Sequence, residues 1–221
     1  MFAVIFEVQP RPQRLGEYLQ MAARLKPELE KIDGFIDNER YRSQHDEGRI
    51  LSLSIWRNEK AVIRWRTLPV HHEAQGKGRR EIFRDYHLRV GEIMADTGLR
   101  AGENLPQHRL DATEVGEATA VTITELAPAG DSRHEIDLAA ELALRDDAGE
   151  REVFESIYNP GKLLLLAGWR DIAAAADWRP SGVAGRALRN RVVRIIRDYG
   201  LHDRREAPQY HPSVAGPGMT S

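Results

Sequence analysis

The chain opens on an alternation of period two. Phe2, Val4, Phe6 and Val8 fall on one face and Ala3, Ile5 and Glu7 on the other, which predicts a strand. Pro10 and Pro12 end it, because proline cannot donate to a ladder. The period then changes. Leu15, Tyr18 or Leu19, Ala22, Leu25, Leu29 and Ile32 recur at three- and four-residue steps and predict a helix, with Pro27 as a kink and Gly34 as its C-terminal cap. Residues 35–42 read as a second strand, and residues 44–48 as a polar turn. The clearest strand is 49–56, where Leu51, Leu53 and Ile55 alternate with Ser52, Ser54 and Trp56. A short helix over 58–65 starts at an Asn58 cap. Residues 89–96 fit a strand or a helix, and periodicity does not choose between them.

Residues 100–116 have no period and read as a connector, after which the order begins again. Strand patterns cover 118–126, 152–158 and 162–169, and helical ones 131–144 and 172–178. The repeat is visible residue by residue. At an offset of 118, Ile5, Glu7 and Pro10 meet Ile123, Glu125 and Pro128. At an offset of 113, Trp56-Arg57 and Trp65-Arg66 meet Trp169-Arg170 and Trp178-Arg179, which uses all four tryptophans of the chain. At an offset of 102, 89–99 meets 191–201; a rival register would pair Arg84-Asp85-Tyr86 with Arg197-Asp198-Tyr199. Each half therefore reads β-α-β-β-α-β, a small sheet with helices on one face and a second apolar face in need of cover. Packing the two sheets against each other, closing a barrel-like core within one chain, supplies that cover.

Composition narrows the picture without redirecting it. The 221 residues are 41% hydrophobic and 30% charged, a globular balance, and a net charge of -2 offers no bulk attraction for nucleic acid or an anionic membrane. The longest apolar run, Leu163 to Ala167, is far too short to span a bilayer. The absence of cysteine removes disulfides, thiolate metal sites and cysteine nucleophiles, and fits a cytoplasmic protein. The start of the chain lacks the basic n-region of a signal peptide.

The repeat also points to the chemistry. The offset falls from 113 to 102 between Arg66 and Arg89, so the first half carries eleven extra residues there. They include the stretch WRTLPVHHEAQGKGRR over 65–80, and His71, His72, Glu73 and Gln75 have no partners in the second copy. An imidazole suits proton transfer near neutral pH or axial ligation of an iron, so His71 and His72 are the candidate catalytic groups or haem ligands. Pro69 favours the first turn of a new helix. Counting from Leu68 as core-facing puts His72, Gln75 and Arg79 on the inner face and His71 towards solvent, and His72 is the preferred residue. If Val70 points inward instead, the stripe shifts to His71, Ala74 and Gly78. Tyr86 and His87 follow closely enough to re-enter the cleft. Arg66 is a candidate anion holder or a packing residue, since Arg179 repeats it. Glu7, among apolar neighbours, belongs to the cavity or to a strand-end salt bridge. The Gly76-Lys77-Gly78-Arg79 turn lacks phosphate-loop spacing, and no zinc or serine hydrolase motif is present.

The order FAVIFEVQP, LKPELEKIDGF and GRILSLSIWRNEKAVIRWR, followed by HH and a GR turn, resembles the antibiotic biosynthesis monooxygenase family. The resemblance covers 1–99 well and 117–203 more faintly, with 100–116 between them and 204–221 as a tail. It implies an α+β fold of tandem ferredoxin-like units joined as an intramolecular dimeric α+β barrel, with Trp65 lining the cavity. It implies a monooxygenase that uses molecular oxygen on a small aromatic, quinol-like or polyketide-type substrate, with a histidine base and no cofactor. Trp65, Tyr86, His71 and His72 are then the candidate catalytic residues, and Gln75, Arg66, Glu7 and Arg79 the candidate substrate-binding ones. A haem-dependent enzyme and a non-catalytic binding protein are the alternatives, and assembly as a homodimer is compatible with either. The family's haem-degrading branch uses an Asn on the first strand and a His ten residues past the tryptophan; here 2–8 holds no Asn and residue 75 is Gln.

Overall fold

The computed structural model describes residues 1–100, 102–108, 110–128 and 137–208. The opening alternation forms β1 (Phe2–Pro10), and after a short 3-10 turn α1 (Leu15–Glu30) buries Tyr18, Ala22 and Leu29. Gly34 is not the cap of α1. It lies in the turn into the next strand at φ +95°, where a Cβ would come within 2.7 Å of that of Ala61. β2 (Phe35–Ser43) and β3 (Ile50–Trp56) pair antiparallel. α2 (Glu59–Thr67) starts at Asn58, whose side chain accepts from the Ala61 N–H at 3.0 Å. The extra residues of the first half form α3 (Pro69–Lys77) and a π-helical turn over 78–82. They lead into β4 (Phe83–Asp96), so the segment that periodicity left open is a strand.

The second half repeats the order as β5 (Ala120–Leu126), a one-turn α4 (Leu138–Glu141), β6 (Arg151–Ser156), β7 (Leu163–Trp169), α5 (Ile172–Asp177) and β8 (Leu188–Gly200). Of the helix expected over 131–144, α4 is the described part; residues 131–136 lie outside the described residues.

The strands run β4-β1-β3-β2 in one half and β8-β5-β7-β6 in the other. The two sheets join edge to edge through β4·β8 and β2·β6, closing an eight-stranded barrel of two ferredoxin-like units. Closure leaves no sheet edge exposed. The face holding Ala3 and Ile5 points inward, where it meets Leu53, Ile123, Leu166 and Ile195 in one apolar core shared by both halves. The register of the repeat follows the longer match: Ile5 pairs with Arg89 and Ile123 with Arg191. Across β4·β8, Gly91 faces Ile195 and Ile93 faces Val193, with Glu92 opposite Arg194 at the centre of the internal two-fold relation.

That relation settles the position of Glu7. It is 2% exposed and bonded to Arg89 and, at 2.5 Å, to Arg49, outside the cavity described below. The repeat-equivalent Glu125 meets Arg191 and, at 2.8 Å, Lys162. The structure places Glu7 in a buried ion pair rather than in the cavity, because a buried carboxylate must be paired and the last strand of each half supplies the arginine.

Candidate active site

The outward face of the first-half sheet carries Val4 and Phe6 of β1, Ser52 and Ser54 of β3, and Leu88 and Val90 of β4. Helices α1, α2 and α3 roof this face, and between roof and sheet lies a cavity of about 190 Å3. It sits outside the barrel, whose interior is filled. In the second half the part of this layer beside α5 is filled. Trp178 is 2% exposed there and packs on Trp169 with ring centroids 5.7 Å apart. No counterpart of α3 separates α5 from β8, and the open groove of this half lies elsewhere, under α4 against Val153 and Leu165.

His71 is the histidine of the cavity, and His72 is exposed on the far side of α3. The expected phase of the helix is therefore wrong by one residue. The reason is Leu68, which is not in the helix: it is the N-cap, with extended backbone at φ -60° and ψ 127°, so its direction does not propagate along the helical period. Val70, the other apolar residue of the turn, is 44% exposed. What orients the helix is Trp65. The His71 ring stacks on the Trp65 indole at 4.0 Å and 16°, and His71 Nδ1 lies 2.9 Å from the Trp65 carbonyl oxygen. A carbonyl only accepts, so Nδ1 carries the hydrogen and Nε2 is the basic nitrogen. Burial, reinforced by the neighbouring His72, pushes the His71 imidazole down to about 4 against the pull of the Trp65 carbonyl, so it is neutral at pH 7.

Trp65, Arg66, Gln75, Arg79 and Tyr86 all line the same cavity. The Gln75 amide donates to the Arg66 carbonyl at 3.3 Å and holds α3 to the end of α2. Arg79, in the π-helical turn and 5% exposed, donates to the Tyr86 hydroxyl at 2.8 Å, and Arg204 donates to the same oxygen at 2.6 Å. His87 does not enter the cleft; its Nε2 lies 2.6 Å from Asp198.

Several lining residues escaped the sequence reading. Asn38 and Arg40 of β2 face the cavity, joined by a 3.2 Å bond from the guanidinium to Oδ1 of Asn38. Tyr18 of α1, which helical spacing offers as the alternative to Leu19 in the apolar stripe, lines it too. Arg197 and Tyr199 come from β8 of the second half. Burial pushes the Tyr199 phenol up to about 12. The alternation of Ser52 and Ser54 with apolar residues was the one sequence signal for a polar strip on this face. The cavity thus joins an apolar wall, a neutral imidazole and arginines from both halves, with Glu59 the one carboxylate among its described lining residues. Among the described residues no group of three or more His, Asp or Glu side chains could hold a metal ion, and no helix is long and apolar enough to cross a membrane.

The profile of a family described as antibiotic biosynthesis monooxygenase matches residues 1–77. A relative from Pyricularia oryzae, jasmonate monooxygenase ABM, is 42% identical over 224 residues, covering 97% of this chain and all of the relative. Among solved structures, an aldoxime dehydratase is similar with a TM-score of 0.56 at 12% identity, covering 88% of this chain and 80% of that one. An anthrone oxidase-like protein aligns over 94% of this chain and 96% of its own with a TM-score of 0.38 at 12% identity.

Proposed function

The chain belongs to the antibiotic biosynthesis monooxygenase family, and from that premise we propose that it oxygenates a small, mostly apolar acid of the jasmonate type in the first-half cavity, with His71 as proton acceptor. The observation that carries this reading is the pairing of an apolar wall with arginines and a neutral histidine in one roofed space. The name of the Pyricularia oryzae relative supplies the substrate type. The earlier expectation of an aromatic or quinol-like substrate gives way to it, because the lining cations favour a molecule with a negative charge.

The division of labour follows from the site. The apolar wall excludes water from the reacting carbon. Nε2 of His71, unprotonated at pH 7, takes up the proton released there, while Nδ1 remains anchored on Trp65. An imidazole held at about 4 is a weak base, and an anion bound beside it raises its affinity for the proton. One atom of dioxygen enters the product and the other leaves as water, the electrons coming from the substrate or an added reductant.

Haem fits these residues poorly. The Nδ1–H of His71 is fixed by a carbonyl, as in many ligating histidines. A cavity of about 190 Å3, however, falls below the roughly 300–1,000 Å3 of drug-sized ligand sites.

The test is oxygen uptake with jasmonic acid and with a hydroquinone, each with and without reductant, followed by mass analysis after reaction under 18O2. The expected result is one labelled atom in the jasmonate product, with His71→Asn slowed about a hundredfold or more and His72→Asn near wild type. No uptake with jasmonic acid, or equal rates for the two histidine variants and wild type, refutes the reading. A Soret shift on titration with haemin would restore the haem alternative.

A further inference from the structure

The second half lacks the segment that holds His71, His72, Glu73 and Gln75 in the first. One feature of β8 gives it a share in the first half's cavity. Val193 and Ile195 of β8 point into the barrel. Strict alternation would send Arg197 and Tyr199 the same way, into an apolar core. They turn outward because Ile196 is an extra residue. Val90 of β4 pairs with Arg197, and the next residue, Gly91, pairs with Ile195. Such a bulge reverses the phase of the strand beyond it. Arg197 and Tyr199 then share a face with their cross-strand partners Val90 and Leu88, which line the cavity.

The internal two-fold relation supplies a control. Met94 is the corresponding extra residue on β4, lying between the pairs Ile93–Val193 and Ala95–Val192. The residue its bulge turns towards the second half is Ala95. The same device thus delivers an arginine to the roofed cavity of the first half and an alanine to the equivalent place in the second. Among the described residues no hydrogen bond or ion pair engages Arg197.

We propose that Arg197 is the anchor for the substrate's carboxylate, so that the second half supplies charge recognition for a pocket built by the first. The identity of the acid rests on the oxygenase reading above; the anion site itself does not. Nearby Arg66 is held below its ordinary value by burial and by repulsion from Arg197, despite Tyr199 and Glu59, and an anion between the two would relieve that strain.

The experiment uses the full chain as wild type, Arg197→Gln and Arg197→Lys, with Arg151→Gln on the exposed side of β6 as a charge control. Binding of jasmonic acid and its methyl ester, and of 4-phenylbutyrate and its methyl ester, is followed by tryptophan fluorescence, since Trp65 lines the cavity. Each pair differs in charge and hardly in shape. Wild type should bind the acids about ten- to a hundredfold more tightly than the esters. Arg197→Gln should abolish that preference by weakening the acids alone, Arg197→Lys should keep part of it, and Arg151→Gln should match wild type. Wild type that binds acid and ester alike or binds neither acid overturns the proposal, as does Arg197→Gln weakening acid and ester equally or neither. Acid-selective binding without oxygen uptake would sustain the anchor and sink the oxygenase reading; uptake without acid preference would do the reverse.

Discussion

At the scale of single residues, His71 ties stability to pH. Its imidazole ordinarily titrates near 6.5 and in the folded protein near 4, chiefly because it is buried. Between those values the unfolded chain binds a proton that the folded chain refuses. Stability is therefore full above pH 6.5 and falls as the pH drops towards 4. Between pH 7 and pH 5 the loss from this one group is about 2 kcal/mol. Urea unfolding at the two pH values should show that extra loss in wild type and not in His71→Asn. An identical pH dependence in both proteins would mean that the imidazole is not desolvated. The proton on Nδ1 follows from the same geometry, because the Trp65 carbonyl can only accept.

At the scale of elements, the site depends on two local departures from regular structure. One is α3 with the π-helical turn after it, which lifts the chain over the sheet and delivers His71, Gln75 and Arg79 to one side. The other is the pair of bulges in β4·β8. Gly91 sits at the second-half bulge, where a Cβ would come within 2.4 Å of Val193 Cγ1 and 2.6 Å of the Arg194 carbonyl oxygen. Backbone cannot give way there cheaply. Gly91→Ala should cost about 1–3 kcal/mol, read as a drop in Tm. Gly16→Ala in α1, with nothing within 4 Å, should be neutral or raise stability by up to about 1 kcal/mol. Equal effects of the two substitutions would show that β4 and β8 are not so closely apposed.

At the scale of the whole molecule, one fold is used twice for different ends. Trp65 and Trp178 are equivalent in the repeat, Trp65 in the last turns of α2 and Trp178 at the C-terminal cap of α5. Trp178 is buried, donates its indole N–H to the Ala143 carbonyl at 3.0 Å and packs on Trp169. Trp65 is half-buried and forms a wall of the cavity, stacked on His71. Truncation should separate the roles. Trp178→Ala should cost about 3–5 kcal/mol in urea unfolding, while Trp65→Ala should cost clearly less and lose most of the oxygen uptake. The reverse order of stabilities would mean that the second half, not the first, holds the open layer.

Much of this organisation is legible in neighbouring residues. The alternation of 2–8 and 49–56, the Asn58 cap, the Pro69 start and the tryptophan spacing are local signals, and each formed the expected element. The repeat offsets placed Glu7 and Glu125 as equivalents, and the missing segment of the second copy marked the first as the place for a cavity. Three matters were decided only in three dimensions. Leu68 took an extended conformation, so the phase counted from it chose His72 over His71. Glu7, open between cavity and ion pair in sequence, met Arg89 across β1·β4. Ile196 bulged and turned Arg197 to the first half's cavity. The physical reason is the same in each case. Period and capping are set by residues a few positions apart, whereas the direction of a side chain beyond a cap or a bulge is set by the strand or helix packed against it.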